Sequence, residues 1–238
     1  MQITIIQTGS VPQPIQHRFQ PYPAMFEAMF ERLGEGFSCR TVPVFEGAPF
    51  PEIAGLEAVV ITGSAAGVYE DYVWMDPLRQ FIRAAYAQEL PMLGICFGHQ
   101  VMADALGGDV RKSEKGWGLG RHVYAVTRRP AFMAGLGDTL SVACSHQDQV
   151  IVPPAEAEVI LSSEFTPNAG LFYRSGKALS FQPHPEFEDD YARALAELRR
   201  GKASDAVVDA AIASLARASD SLEVARAIGR FFKAARAA

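Results

Sequence analysis

The sequence predicts an open α/β fold: a mostly parallel sheet flanked by helices, with additional antiparallel strands and a helical C-terminal tail. Three features predict it. Short apolar runs alternate with helically spaced apolar residues through the first half of the chain, in the order strand, helix, strand, strand, helix, strand, helix. Between residues 110 and 181 the runs become short, rich in β-formers and punctuated by Gly and Pro, which suits antiparallel strands and hairpins. From residue 189 onward the pattern is helical again.

Residues 3–7 form the first predicted strand, followed by a loop set by Pro12, Pro14, Pro21 and Pro23. Met25, Phe26, Met29, Phe30 and Leu33 recur at helical spacing, with Gly34 as the stop. Residues 41–45 and 58–61 are the second and third strands, the latter running into Thr62-Gly63-Ser64. Pro77 opens a helix whose Leu78, Phe81, Ile82 and Ala85 share one face, since a first-turn residue needs no N–H. Residues 91–95 form the fourth strand, and Val101, Met102, Ala105 and Leu106 mark a helix closed by Gly107-Gly108. The β-rich middle contributes runs at 123–126, 150–152, 159–161, 170–173 and 178–181. In the tail, Val207, Val208, Ala211, Ile212 and Leu215 form one stripe, and Val224, Ile228, Phe231 and Phe232 another. No repeat or linker interrupts the chain. Residues 1–238 are therefore expected to form one domain, with a core over about 1–190 and a helical extension over 191–238.

The 238 residues are 49% hydrophobic and 21% charged, which excludes disordered, collagenous and fibrous chains. No stretch approaches the roughly 18 uninterrupted apolar residues of a membrane span. The N-terminal run has no basic segment ahead of it, so no secretory signal is expected either. Twenty-two basic against 27 acidic residues leave a formal charge of -5 without a dense basic cluster, which argues against nucleic acid as a partner. The cysteines, at 39, 96 and 144, form neither a disulfide framework nor a zinc site, and a reduced, cytoplasmic protein is expected. Histidines and carboxylates show no ligand spacing, so no metal and no cofactor is expected. Gly116-Trp117-Gly118-Leu119-Gly120 is not a dinucleotide fingerprint, because no strand–turn–helix follows it.

Gly94-Ile95-Cys96-Phe97-Gly98 falls between the fourth strand and the helix after it. A nucleophile at the tip of so sharp a turn needs close backbone approach on both sides, which a Cβ at either glycine would obstruct. The following helix points its N-terminal dipole at the thiol and favours the thiolate. The N–H of Phe97 is then aimed where an oxyanion would form. A thiolate attacking an amide also needs a base that can protonate the leaving nitrogen. Among the five histidines, His17 falls in the Pro-rich loop, His122 in a strand, and His99 on the new helix, where packing is expected. His146 lies in Cys144-Ser145-His146-Gln147-Asp148, a polar stretch expected as a loop between strands. His184 follows the last strand in Gln182-Pro183-His184-Pro185-Glu186, where prolines fix the path and Glu186 can reach back to the imidazole. Cys96, His184 and Glu186 are the candidate nucleophile, base and orienting carboxylate.

The two motifs, Gly94-Ile95-Cys96-Phe97-Gly98-His99-Gln100 and Gln182-Pro183-His184-Pro185-Glu186, resemble those of the class I glutamine amidotransferase family, over roughly residues 40–190. The resemblance implies a flavodoxin-like open sheet. It also implies that Cys96 attacks the γ-carboxamide of glutamine to form a γ-glutamyl thioester. His184 would take the thiol proton and pass it to ammonia, with Glu186 holding the ring. The oxyanion would rest on the N–H groups of Phe97 and Gly63. Gln100 with Ser145, His146, Gln147 and Asp148 match positions that grip the α-amino and α-carboxylate groups. The further stretches Ala105-Leu106-Gly107-Gly108 and Gly116-Trp117-Gly118-Leu119-Gly120 are similar to standalone members related to the amidotransferase domain of GMP synthase. Some of these are γ-glutamyl peptidases, which release a larger amine.

Two departures stand out. The family commonly has Gly-Gly-Pro where this chain has Gly63-Ser64-Ala65-Ala66-Gly67. After Glu186 only a helical stretch follows, with nothing that uses ammonia. The resemblance thus implies hydrolysis of glutamine or a γ-glutamyl small molecule, ammonia supply to a separate synthetase partner, or ligand binding without catalysis. The complete triad speaks against the last. Tyr69-Glu70-Asp71-Tyr72 and Trp74 read as a pocket mouth or, in preference, as surface loop. Cys39, ahead of a predicted strand, and Cys144 are expected to be buried and unreactive.

Overall fold

The structure, a computed structural model, describes residues 1–237. Its first half runs β1 (Gln2–Gln7), α1 (Tyr22–Glu31), β2 (Ser38–Pro43), β3 (Ala58–Ile61), α2 (Met75–Ala87), β4 (Met92–Ile95) and α3 (Phe97–Ala105). The middle is β-rich: β5 (Asp109–Lys112), β6 (Gly118–Val126), β7 (Thr139–His146), β8 (Asp148–Val152), β9 (Ala157–Ser162), β10 (Gly170–Tyr173) and β11 (Ala178–Phe181). The last stretch holds α4 (Asp189–Glu197), α5 (Asp205–Ser214) and α6 (Ser221–Ala237). One nine-stranded sheet has the order β2-β1-β3-β4-β11-β10-β9-β6-β7. β2, β1, β3, β4 and β11 are parallel, and the remaining pairings are antiparallel. β5 and β8 pair as a separate ribbon. This is the α/β architecture the sequence predicts, down to the added antiparallel strands and the helical tail.

Period-two alternation sends each parallel strand to two cores. Ile3 and Ile5 of β1, Val60 of β3, Leu93 and Ile95 of β4, and Leu179 and Phe181 of β11 meet Phe26 and Phe30 of α1 and Ile228, Phe231 and Phe232 of α6. The intervening Ile6, Val59, Ile61 and Met92 meet Leu78, Phe81 and Ile82 of α2 and Val101 and Met102 of α3. Strands covered on both faces are apolar at nearly every position, which is why they read as almost unbroken runs. α6 shares one of the two covering layers with α1 and is not an appendage.

Several elements differ from expectation. β2 starts at Ser38 and ends at Pro43, and a 3-10 turn over Val44–Glu46 with left-handed Gly47 replaces the end of the predicted 41–45 strand. Cys39 therefore lies within an edge strand and is half-buried, not buried ahead of it. β6 begins at Gly118 and pairs with β7 from Gly118↔His146 to Ala125↔Thr139. Ser145 and His146 consequently belong to a strand, and Gln147 alone separates β7 from β8, where the sequence suggested a polar loop.

Candidate active site

β4 ends at Ile95 and α3 begins at Phe97, so Cys96 makes the turn alone, at φ 54° and ψ -102°. Positive φ in a non-glycine residue costs on the order of 1–3 kcal/mol and persists where the surroundings impose it. Here the surroundings are two glycines. A Cβ on Gly94 would stand 2.5 Å from the Gly98 carbonyl oxygen, and one on Gly98 would drive into the Ile61 carbonyl. Neither position admits a side chain. Gly98 N–H donates to Thr62 O at 3.1 Å and Cys96 N–H to Phe181 O at 2.8 Å, which ties the turn to the ends of β3 and β11. Phe97, as the first residue of α3, has no intrahelical acceptor for its N–H.

β11 delivers His184 to the same place. The His184 N–H donates to Ala143 O of β7 at 2.8 Å. Its Nδ1 lies 2.7 Å from Glu186 Oε1, with both side chains buried. Gly63 abuts the histidine and the cysteine at once: an added Cβ there would stand 3.2 Å from His184 Cε1 and 3.8 Å from Cys96 Cβ. Burial alone would lower the His184 pKa, but the Glu186 carboxylate and Cys96 overcome it and raise it to about 10. Cys96, Phe97, Gly63, His184 and Glu186 are thus gathered at one point. Phe187 stacks on the imidazole, and Tyr191 meets Phe187 edge-on at 4.6 Å while its hydroxyl donates to Tyr22 Oη at 3.2 Å. Nothing in the sequence singled out these aromatics, because apolar residues at a helix start signal packing first.

The predicted substrate-binding residues are largely turned into one another. Gln100 Nε2 donates to Asp148 O at 2.8 Å and to Gln182 Oε1 at 3.1 Å. His146 Nδ1 lies 3.1 Å from the same Asp148 carbonyl, and burial lowers its pKa to about 3, so the ring is neutral. The Ser145 hydroxyl is buried without a partner, while the Ser145 carbonyl lies 4.0 Å from Cys96 Sγ. Gln147 is half-buried at the turn. Asp148 accepts from the Tyr69 hydroxyl at 3.3 Å, and burial raises its carboxyl pKa. Trp74 meets Phe97 edge-on at 5.7 Å and stacks with Tyr72. The Tyr69-to-Trp74 segment is exposed as a surface loop would be, yet it is anchored on two residues of the site.

The departure after Gly63 has a structural answer. Ser64 Oγ accepts from Ala66 N–H at 3.1 Å, and the Thr8 hydroxyl donates to Thr62 O at 3.0 Å. Side-chain hydroxyls order this loop where the family pattern uses proline. Thr8 carries no signal in the sequence because it reaches the site from just beyond the end of β1, far along the chain from Thr62.

The remaining histidines and cysteines have ordinary settings. His99 is fully buried with Nδ1 2.8 Å from Ser180 Oγ, and burial lowers its pKa to about 3. His122 packs edge-on against Phe165 at 5.2 Å, and His17 is exposed. Burial pushes the Cys144 thiol up to about 12 and the Cys39 thiol up to about 11. Among the described residues no group of three or more His, Cys, Asp or Glu is placed to hold a metal ion. No described helix is long and apolar enough to cross a membrane.

A family model described as glutamine amidotransferase class-I matches residues 27–194. A glutamine amidotransferase-like protein of Schizosaccharomyces pombe is 30% identical over 154 residues, which cover 64% of this chain and 60% of that protein. The match therefore spans less than two thirds of that relative's length. Gamma-glutamyl peptidase 2 of Arabidopsis thaliana is 26% identical over 179 residues, covering 74% of this chain and 72% of that one. Among solved structures, a glutamine amidotransferase from Thermotoga maritima superposes with a TM-score of 0.77 at 23% identity, covering 97% of this chain and 98% of that chain. At that identity the likeness bears on the fold.

Proposed function

The chain belongs to the class I glutamine amidotransferase family, and from that membership we propose that it hydrolyses γ-glutamyl amides, glutamine or a γ-glutamyl compound, through a thioester on Cys96. One observation carries the proposal. A cysteine held at positive φ and a buried His184–Glu186 pair meet against the same glycine, Gly63.

In the first step the Cys96 thiolate, its proton already resting on His184, attacks the γ-carbonyl carbon. Charge moves to the carbonyl oxygen, where the N–H groups of Phe97 and Gly63 receive it. The imidazolium, oriented by Glu186, protonates the nitrogen as the C–N bond breaks, which leaves a thioester and a neutral amine or ammonia. His184 then takes a proton from water as its oxygen attacks the thioester. Cleavage of the C–S bond releases glutamate and restores the thiolate beside the imidazolium.

Similarity to a γ-glutamyl peptidase supports peptide-like substrates alongside glutamine. Purified protein given glutamine and a panel of γ-glutamyl peptides should release glutamate, and Cys96→Ala should abolish the release. Release that survives the substitution contradicts the mechanism. A rate that arises only on adding a synthetase would make the chain an ammonia-supplying subunit instead.

A further inference from the structure

The proposed substrates carry charge that the residues around Cys96 leave unanswered. Every glutamyl group brings an α-carboxylate, and a γ-glutamyl amino acid brings a second on its leaving side. Gln100, Ser145, Gln147 and Asp148 offer no cation, and His146 is neutral. Asp148 suits an ammonium. None of that set answers a carboxylate with a positive charge.

Arg199, just beyond α4, is placed to supply the missing charge. Its guanidinium lies 4.3 Å over the Trp117 ring. Trp117 immediately precedes Gly118, which pairs with His146, and the next residue back along β7 is Ser145, whose carbonyl faces Cys96 Sγ at 4.0 Å. Tyr22, Cys96 and Tyr191 lie within electrostatic range of the guanidinium. Arg199 Nε is buried without a hydrogen-bond partner. Among the described residues no carboxylate pairs with Arg199, whereas its neighbour Arg200 meets Glu197, Asp205 and Asp209 and the buried Arg121 meets Asp189. Burial lowers the Arg199 pKa from its ordinary value. A guanidinium stacked on an indole keeps its planar edge available, and that edge matches a carboxylate in bidentate fashion.

We propose that Arg199, backed by Trp117, is a subsite that binds a carboxylate of the γ-glutamyl substrate. The substrate class rests on the hydrolase proposed above. Two carboxylates share the required chemistry: the α-carboxylate of the glutamyl group and that of an amino-acid leaving group.

Steady-state hydrolysis of glutamine, a γ-glutamyl anilide and γ-glutamylglycine by wild type, Arg199→Met and Arg199→Lys separates them. A loss in kcat/KM of roughly 10- to 100-fold on all three substrates in Arg199→Met, carried by KM, assigns the α-carboxylate. A loss confined to γ-glutamylglycine assigns the leaving group. Unchanged values on all three overturn the subsite. Arg199→Lys keeps the charge but not the fork, so it should show a smaller loss of about 3- to 10-fold on the same substrates, and no loss there overturns the subsite even if the Met variant unfolds. Binding provides a readout free of catalysis. γ-Glutamylglycine titrated calorimetrically into Cys96→Ala and into Cys96→Ala/Arg199→Lys should bind more weakly to the second protein, with L-glutamate weakened as well if the α-carboxylate is the one held, and equal affinities for γ-glutamylglycine overturn the subsite. If wild type cleaves none of the substrates while Arg199 still governs binding, the hydrolase fails and the subsite stands.

Discussion

Phe187 lies flat against His184, with ring centroids 3.8 Å apart and planes 10° from parallel. Glu186 holds the same imidazole edge-on through Nδ1. Two neighbours on one short segment thus restrain the ring in both directions, and a stacked aromatic face favours the imidazolium. Phe187→Leu keeps apolar bulk but removes the stack. It should lower kcat about 10-fold with KM little changed, and shift the basic limb of the pH–rate profile to lower pH. A rise in KM alone, with the limb unmoved, would make Phe187 ordinary packing.

The His184 pKa, raised to about 10 against an ordinary 6.5, has a consequence for stability. Burial opposes the charge, and Glu186 with Cys96 more than offsets burial. Folding therefore favours the protonated ring. The resulting stability is fully present below about pH 6.5 and is lost as pH climbs toward about 10. Glu186→Gln removes the main favourable partner. The difference in unfolding free energy between wild type and this variant should shrink from about pH 6 to about pH 10, by a few kcal/mol. Denaturant titrations across that range measure it, and a difference independent of pH contradicts the assignment.

Gly98→Ala sets a Cβ against the Ile61 carbonyl, which is backbone and cannot turn aside. The variant should lose about 1–3 kcal/mol or more of stability. Calorimetry should record a fall in Tm of roughly 2–12 °C. Gly107→Ala is the control: φ there is +94° but nothing lies within 4 Å, so only the backbone cost of about 1 kcal/mol applies. Equal losses in the two variants would show that the close approach at Gly98 contributes nothing.

Thr8 holds the loop that carries Gly63. Its hydroxyl donates to Thr62 O at 3.0 Å and lies 3.3 Å from Gly63 O. Thr8→Val is nearly isosteric and leaves those carbonyls without the donor. It should reduce kcat about 10-fold with little effect on KM, because an oxyanion donor acts in the transition state. Unchanged kcat would show that the loop holds its shape without Thr8.

The parallel half of the fold was legible because strands such as 58–61 and 92–95 are covered on both sides and read as uninterrupted apolar runs. β7 was not, since Thr139, Ser141, Ser145 and His146 break the apolar pattern although Val142, Ala143 and Cys144 are buried. α6 read as a helix from Val224, Ile228, Phe231 and Phe232, but only its packing on the central sheet reveals it as a layer. At the candidate site, Cys96 and the His184–Glu186 pair stand in local motifs whose spacing carries chemical meaning. Arg199, Thr8 and Phe187 carry no such signal. Arg199 meets Trp117 and Thr8 meets Thr62 only through the fold, and Phe187 matters through an orientation that spacing does not express.

The thioester is the central claim, and trapping it is the most direct test. Wild-type protein mixed with a γ-glutamyl substrate and quenched in acid within the first turnover should yield one γ-glutamyl adduct by peptide mass spectrometry. It should lie on the peptide containing Cys96, be released by hydroxylamine, and be missing from Cys96→Ala. Glutamate formed without any adduct, or an adduct on Cys39 or Cys144, would contradict the account.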